Sequence, residues 1–178
     1  MEKATLLVLA GGASRRMGRP KASLPFGEGT LLEHVIRQLS PACSEVLVSG
    51  EGGLSDLHPG AGPLAGIEAG LLAARHDLVF AVACDMPLLT AETARMVLAA
   101  AAGHDAAVPR VKGRPEPAAA AYRRSAASAI TAALEAGRYR AADVLRELDV
   151  AWLDGLDPAL FTNANDPAAY RALLDALR

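Results

Sequence analysis

Cysteine is scarce in this chain: Cys43 and Cys84 are the only two in 178 residues. Two thiols make neither a disulfide framework nor a metal quartet, so both read as small, buried, apolar side chains. Long apolar runs are missing as well. No stretch approaches the roughly 20 residues that cross a bilayer. The opening MEKATLLVLAGG has an apolar run too short for a secretion signal, and it flows straight into glycines. The expectation is a cytoplasmic protein with no membrane contact. Charge of one sign is not in excess either. Eighteen Lys and Arg stand against 20 Asp and Glu, a net charge of −2, so no global basic field invites nucleic acid. Internal repeats, linkers and low-complexity tails are absent. The length fits one domain, residues 1–178, with a full core. The four histidines, His34, His58, His76 and His104, are scattered, and neither a His nor a Cys stands out as a nucleophile.

What is present is concentrated in LLVLAGGASRRMGRPK, from Leu6 to Lys21. The apolar run Leu6 to Ala10 suits a strand buried on both faces of a parallel sheet. Gly11 and Gly12 then permit a tight turn and a close approach to a ligand. Ser14, Arg15, Arg16, Gly18, Arg19 and Lys21 follow, with four cations in seven residues. A buried strand that opens into a flexible cationic loop suits an anion. Free N–H groups of a glycine turn can cradle phosphate oxygens, Arg offers a forked donor and Lys a mobile charge. Two common phosphate fingerprints are nevertheless missing. No Gly-Lys-Ser/Thr follows the glycines, and G-x-G-x-x-G does not occur.

The rest of the chain alternates strands and helices. Thr30 and Glu33 form a capping box, opening a helix whose Leu31, Val35, Ile36 and Leu39 share one face and which Pro41 helps to end. Glu45 to Ser49 is a second strand, completing a βαβ unit. A glycine-rich loop, Gly50 to Gly62, carries Asp56, His58 and Pro59. Pro63 fits the first position of a helix that presents Ile67, Leu71 and Leu72. Leu78 to Cys84 is a third buried strand ending in Asp85-Met86-Pro87, where ligands of open α/β sheets bind. Asp85 reads either as a strand-end turn residue or as a hard oxygen ligand for Mg²⁺. Thr90 caps a helix to Ala102, and Asp105 to Pro109 is a fourth strand. Arg110 to Pro117 is a charged loop, and Ala119 to Arg123 is a strand that can run antiparallel. Ser125 is expected to cap a helix to Ala136, with another short helix from Ala141 to Leu148 and an edge strand from Val150 to Leu153. Asp166 and Pro167 start the last helix, leaving Asn163 and Asn165 either as turn formers or as ligand contacts.

The spelling L-A-G-G-x-S-x-R-M-G-x-x-K resembles the signature of the sugar-phosphate and cofactor nucleotidyltransferases. Together with G-P-L-A-G-I at residues 62–67, Cys84-Asp85-Met86-Pro87 and F-x-N-x-N-x-P at residues 161–167, it is most similar to that of the molybdenum cofactor guanylyltransferases. Through these four separated motifs the resemblance spans nearly the whole chain. The resemblance implies a three-layer, Rossmann-like α/β nucleotidyltransferase fold with a mostly parallel central sheet. It implies transfer of GMP from GTP to the terminal phosphate of molybdenum-molybdopterin, with Mg²⁺ as cofactor and pyrophosphate as leaving group. GTP would meet Leu9, Ala10, Gly11, Gly12, Lys21, Ser49, Asp56 and Asp85. Lys21, Arg15 and Asp85 would carry catalysis, with Asp85 also the metal ligand. The acceptor would meet Arg114, Asn163 and Asn165. Other proteins of molybdenum cofactor biosynthesis, or molybdoenzyme chaperones, would be protein partners. Where some relatives have Asn at the guanine, this chain has Ser49. A transferase using CTP, one acting on a sugar or isoprenoid phosphate, and a non-catalytic nucleotide-binding regulator stay open as alternatives.

Overall fold

The computed structural model describes residues 2–11, 20–50 and 52–175. Its centre is β1 (Ala4–Leu9), whose six residues are all buried. A short hairpin of β2 (Pro25–Phe26) and β3 (Gly29–Thr30) leads into α1 (Leu31–Leu39). The expected capping box is formed: Glu33 N–H donates to Thr30 Oγ1 at 3.2 Å, and Thr30 N–H to Glu33 Oε2 at 2.8 Å. β4 (Glu45–Ser49) returns parallel to β1, with Leu6 opposite Val46 and Leu9 opposite Ser49. After α2 (Pro63–Ala73) the chain crosses to the other side of β1, where β5 (Leu78–Ala83) is again parallel to it. The sequence then continues through α3 (Ala91–Ala100), β6 (Ala106–Val111), β7 (Arg114–Pro115), β8 (Ala119–Arg123), α4 (Ala127–Glu135), α5 (Ala141–Val144), β9 (Val150–Leu153) and α6 (Pro167–Asp175).

These strands make a seven-stranded sheet in the order β4-β1-β5-β8-β6, beyond which β6 pairs with both β7 and β9. β8 runs antiparallel to both of its neighbours, and β9 is parallel to β6. Side chains alternate across the sheet. Leu7, Leu9, Val79 and Ala81 face α2 and α4, while Leu6, Val8, Phe80 and Val82 face α1 and α3. Both faces are therefore covered, as the unbroken apolar runs require. A third, smaller core of Leu24, Phe26, Leu31, Ala164 and Leu173 ties the hairpin and α1 to the C-terminal segment.

Several local expectations need correction. Ser125 caps no helix: its hydroxyl donates to Asp105 at 2.6 Å, and residues 124–126 form a 3₁₀ turn instead. α5 stops at Val144, because Arg146 and Glu147 N–H groups bond to carbonyls three residues back. Leu72 points outward at 54% exposure. Arg110 and Val111 belong to β6, and Lys112 and Gly113 form the hairpin turn to β7, both with positive φ. Cys84 is buried as expected, and Cys43 is half-buried. Among the described residues no helix is long and apolar enough to cross a membrane.

One carboxylate stitches β1 to its neighbours. Thr5 Oγ1 donates to Glu45 Oε2 at 2.6 Å, Arg75 N–H to the same oxygen at 2.9 Å, and Arg75 Nε to Oε1 at 2.7 Å. The Thr5 hydroxyl foremost, then the Arg75 main chain and guanidinium, hold the Glu45 carboxyl down from 4.5 to about 2 against the opposing effect of burial. The folded pKa lies below the unfolded one, so this contribution to stability is complete above about pH 4.5 and is lost as pH falls towards 2. Glu45→Gln is expected to flatten this acid limb. The measurement is the urea midpoint of both proteins from about pH 5 to about pH 2.5, with wild type losing more stability over the interval.

Candidate active site

β1, β4 and β5 all end at the same edge of the sheet. The chain leaves β1 for one side and later crosses to the other, which opens a crevice beyond the strand ends. A cleft of ≈ 630 Å³ lies there, lined by Leu9, Ala10, Gly11, Lys21, Ser49, Asp56 and Asp85 together with glycines of the α2 approach. Gly12 and Arg15 lie outside the described residues.

Main-chain bonds fix the floor of the cleft. Ala10 N–H donates to Ser49 O at 2.8 Å and Cys84 N–H to Leu9 O at 3.1 Å, so the three strand ends continue in register past the sheet. Gly50 makes the close approach possible. Its φ is +107°, and a Cβ there would lie 2.5 Å from Gly11 N and 2.9 Å from Ala10 C. On the far wall Ser49 Oγ donates to Asp56 Oδ1 at 3.2 Å, which joins β4 to the following loop. Gly66 lets α2 settle here, since a Cβ would fall 2.6 Å from Ser49 Oγ and 2.9 Å from Leu9 Cδ2.

Charge gathers at the end of β5. Lys21 Nζ donates to Asp85 Oδ2 at 2.6 Å and to Asn165 Oδ1 at 2.8 Å. Three distant segments meet at this ammonium. Lys21 stands on a 3₁₀ turn, Lys21–Ser23, closed by Leu24 N–H on Lys21 O. The segment 163–165 is pinned by Ala164 N–H donating to Asp85 O at 2.9 Å, and Ala164 itself is fully buried in the third core. The Tyr170 hydroxyl bonds Pro25 O, bracing α6 against the β2 hairpin. Asp85 is 9% exposed and sits directly after a buried strand, so its carboxylate is held rather than solvated.

The remaining expected residues separate. Asn163 Oδ1 is buried and has no hydrogen-bond partner among the described residues. Arg114 is exposed on β7 and does not line the cleft. Its neighbour Arg110 is engaged elsewhere, bidentate to Asp154 at 2.6 and 3.1 Å and lying over Trp152.

Two further residues bear on the site. Cys84 lines the cleft, and burial first, then the adjacent Asp85, push its thiol up to about 12. It is therefore a neutral wall. Glu116 precedes β8, and Ala118 O, just ahead of that strand, accepts from Ala83 N–H at 2.8 Å, so the antiparallel register brings Glu116 towards Asp85. Burial and then the Asp85 charge raise its carboxyl pKa. The sequence carried no signal for Glu116 beyond its place in RPEP before the strand.

The donor set fits a hard divalent cation of modest protein ligation. Mg²⁺ takes one or two carboxylates and completes its shell with phosphates and water. Asp85 supplies such a carboxylate at the cleft, and no group of three or more His, Cys, Asp or Glu forms a closed metal cage among the described residues.

Residues 6–151 match the model of the MobA-like NTP transferase domain. The chain is 34% identical over 190 residues to a probable molybdenum cofactor guanylyltransferase of Carboxydothermus hydrogenoformans, covering 98% of this chain and 96% of that protein. It is 36% identical to a protein of the same description from Mycobacterium tuberculosis, across 93% of this chain and 90% of the other. Among solved structures it is similar to molybdopterin-guanine dinucleotide biosynthesis protein A from Archaeoglobus fulgidus, with a TM-score of 0.84, 26% identity, and coverage of 97% and 98%. It is also similar to a 2-C-methyl-D-erythritol 4-phosphate cytidylyltransferase from Thermus thermophilus, with a TM-score of 0.74, 25% identity, and coverage of 99% and 98%.

The apposition of Gly50 and Gly11 is directly testable. Gly50→Ala places a methyl group against main chain and strains a left-handed φ. It is expected to destabilise the fold by about 3 kcal/mol, combining backbone strain with overpacking. Urea denaturation checks the stability. Nucleotide binding should weaken even below the unfolding transition, because the methyl displaces the turn that lines the cleft.

Proposed function

We infer the activity from the family: this chain belongs to the MobA-like NTP transferases, and we propose that it transfers GMP from GTP to the terminal phosphate of molybdenum-molybdopterin. The observation that carries this reading is the convergence of Lys21, Asp85 and Asn165 beside the glycine turn after β1. The cleft takes the nucleotide between Leu9, Ala10 and Gly11 on one side and Ser49 and Asp56 on the other, and Gly12 is assigned to GTP as well. An oxygen of the acceptor phosphate forms a bond to the α-phosphorus of GTP. The bond from that phosphorus to the α–β bridging oxygen breaks, and pyrophosphate leaves with the electron pair.

The nucleophile is already anionic near neutral pH, so no base has to deprotonate it. The work left to the protein is alignment and charge compensation. Lys21 faces the charge that gathers around the α-phosphate, and Arg15 holds the departing pyrophosphate. Asp85 would hold Mg²⁺, which neutralises phosphate charge when bound. Asn165 orients the Lys21 ammonium. Asn163 and Arg114 are assigned to the acceptor, the Asn163 amide to the pterin and the Arg114 guanidinium to its phosphate.

The test is pyrophosphate release from each NTP with Mg²⁺ and molybdenum-molybdopterin. GTP is expected to be the preferred donor, and equal or faster turnover with CTP or ATP would overturn the guanylyl reading. Two variants probe the roles. Asp85→Asn is nearly isosteric and should lower turnover by roughly a hundredfold or more, as loss of one electrostatic stabiliser does. Near-normal activity at low Mg²⁺ would remove Asp85 from the metal. Lys21→Ala should lower kcat more than it weakens GTP binding, because its charge matches a transition-state feature. A pure binding defect would contradict that role.

A further inference from the structure

α2 is apolar and buried almost throughout, yet Glu68 sits in its middle with no exposure at all. One carboxylate oxygen is satisfied: Thr131 Oγ1 of α4 donates to Oε1 at 2.6 Å. The other, Oε2, is buried and has no hydrogen-bond partner among the described residues. The nearest cationic candidate is His58, whose Nε2 lies 3.6 Å away, within ion-pair range but longer than a hydrogen bond. A buried carboxylate with an unmet oxygen is costly. An apolar side chain of similar size would pack α2 against α4 without that cost, so the carboxylate calls for a role of its own.

His58 belongs to the loop between β4 and α2, two residues after Asp56 and two before Gly60, and both of those line the cleft. The loop is anchored at its ends by Leu54 and Ala61, which pack on the core. Between them Ser55, Leu57, Pro59 and Gly60 are exposed, Leu57 at 65%. Asp56 and His58 are the side chains of this stretch that reach partners among the described residues, Asp56 to Ser49 and His58 to Glu68. The two attachments lead to different elements, β4 and α2. Their combination fixes the loop against both rotation and withdrawal.

We propose that Glu68 is a positioning residue for the nucleotide: through His58 it holds the 54–61 loop, and with it Asp56, where the base meets the cleft. The proposal rests on the guanylyltransferase reading above for the identity of the ligand, but the latch is a property of the protein alone. When the base enters and the loop settles, a shift of about half an ångström converts the His58–Glu68 pair into a charge-assisted hydrogen bond. The unmet oxygen then finds its donor in the nucleotide-bound form, so that part of the binding free energy is expressed at a residue that never touches the ligand.

The experiment uses the full chain and three variants, His58→Ala, His58→Gln and Glu68→Gln. His58 is a loop residue, so its variants test the latch without disturbing the core. Amide hydrogen exchange over residues 52–62, without nucleotide, is expected to accelerate several-fold in His58→Ala and Glu68→Gln. In turnover, His58→Ala should raise the GTP KM roughly tenfold with kcat within about twofold. His58→Gln restores a nitrogen donor of similar reach and should recover most of the loss. Unchanged exchange together with unchanged KM in His58→Ala would overturn the proposal, as would a fall in kcat with KM unaltered. If wild type releases no pyrophosphate from GTP, the guanylyltransferase reading fails, while the exchange measurement still decides whether the latch exists.

Discussion

Lys21 Nζ lies 2.6 Å from Asp85 Oδ2, between residues 64 positions apart in the chain. Much of the architecture can be read as the means of keeping this pair together. Asp85 is placed by β5, which is buried and paired along its full length with β1. Lys21 is placed by a turn whose next residue, Leu24, is buried in the third core beside Ala164. Ala164 in turn bonds the Asp85 carbonyl. The same small core thus sets the lysine, the aspartate's main chain and Asn165. An exposed ion pair is worth little, because two long side chains lose freedom for a screened attraction. Here the backbone has already fixed both partners, and each is largely shielded. The pair is therefore a prepared arrangement of opposite charges at the mouth of a cleft, more useful for receiving a charged ligand than for stability.

The reversal of strand order at β1 creates the cleft, and small residues keep it open. α2 approaches β1 and β4 closely through Gly66 and Gly70, where a Cβ would meet Leu9, Ser49 and Leu7 side chains. A thicker helix face would move α2 outward and carry the 54–61 loop with it. Close packing of α2 and the position of Asp56 are thus one constraint seen at two places. The buried Glu68 belongs to the same layer, which is why a polar group in an apolar helix can act on the cleft from behind it.

Much of this was legible in the sequence. The runs 6–10 and 78–84 announced strands buried on both faces, and the structure places both in the middle of the sheet. The Thr30–Glu33 capping box and the Pro63 and Pro167 helix starts were readable because local chemistry decides them. Seven of the nucleotide-side residues named from the motifs line one cleft. What escaped was set by tertiary contacts. Ser125 looked like a cap, but the Asp105 carboxylate 20 residues away claims its hydroxyl. The β2–β3 hairpin is two residues a side, too short for any periodicity. Glu116 feels the Asp85 charge because β8 runs antiparallel in one particular register, and Glu68 is exceptional only once α2 is known to be buried from Leu64 to Leu71. Neither fact has a local signature.

The charge balance of the cleft explains why so many cations sit in a chain stretch that follows a neutral strand. Asp85 and Glu116 bring two carboxylates to the end of β5, and Lys21 offsets one of them. Burial beside Asp85 raises the Glu116 carboxyl, so the second negative charge is already disfavoured before any ligand arrives. On the proposed function a triphosphate entering this site would add several more negative charges, which Lys21 alone would not balance. The sequence supplies Arg15, Arg16 and Arg19 within six residues of Lys21, and a divalent cation on Asp85 would supply two charges more. The neutral Cys84 thiol adds no charge of its own. On the proposed function the Lys21–Asp85 pair would be broken or shared on binding, since the phosphates would call on both groups: the ammonium for their oxygens, the carboxylate for their metal. Asn165, which holds the same ammonium at 2.8 Å, is uncharged and does not compete with phosphate for neutralisation. It is therefore the partner suited to keep Lys21 in place while Asp85 changes hands.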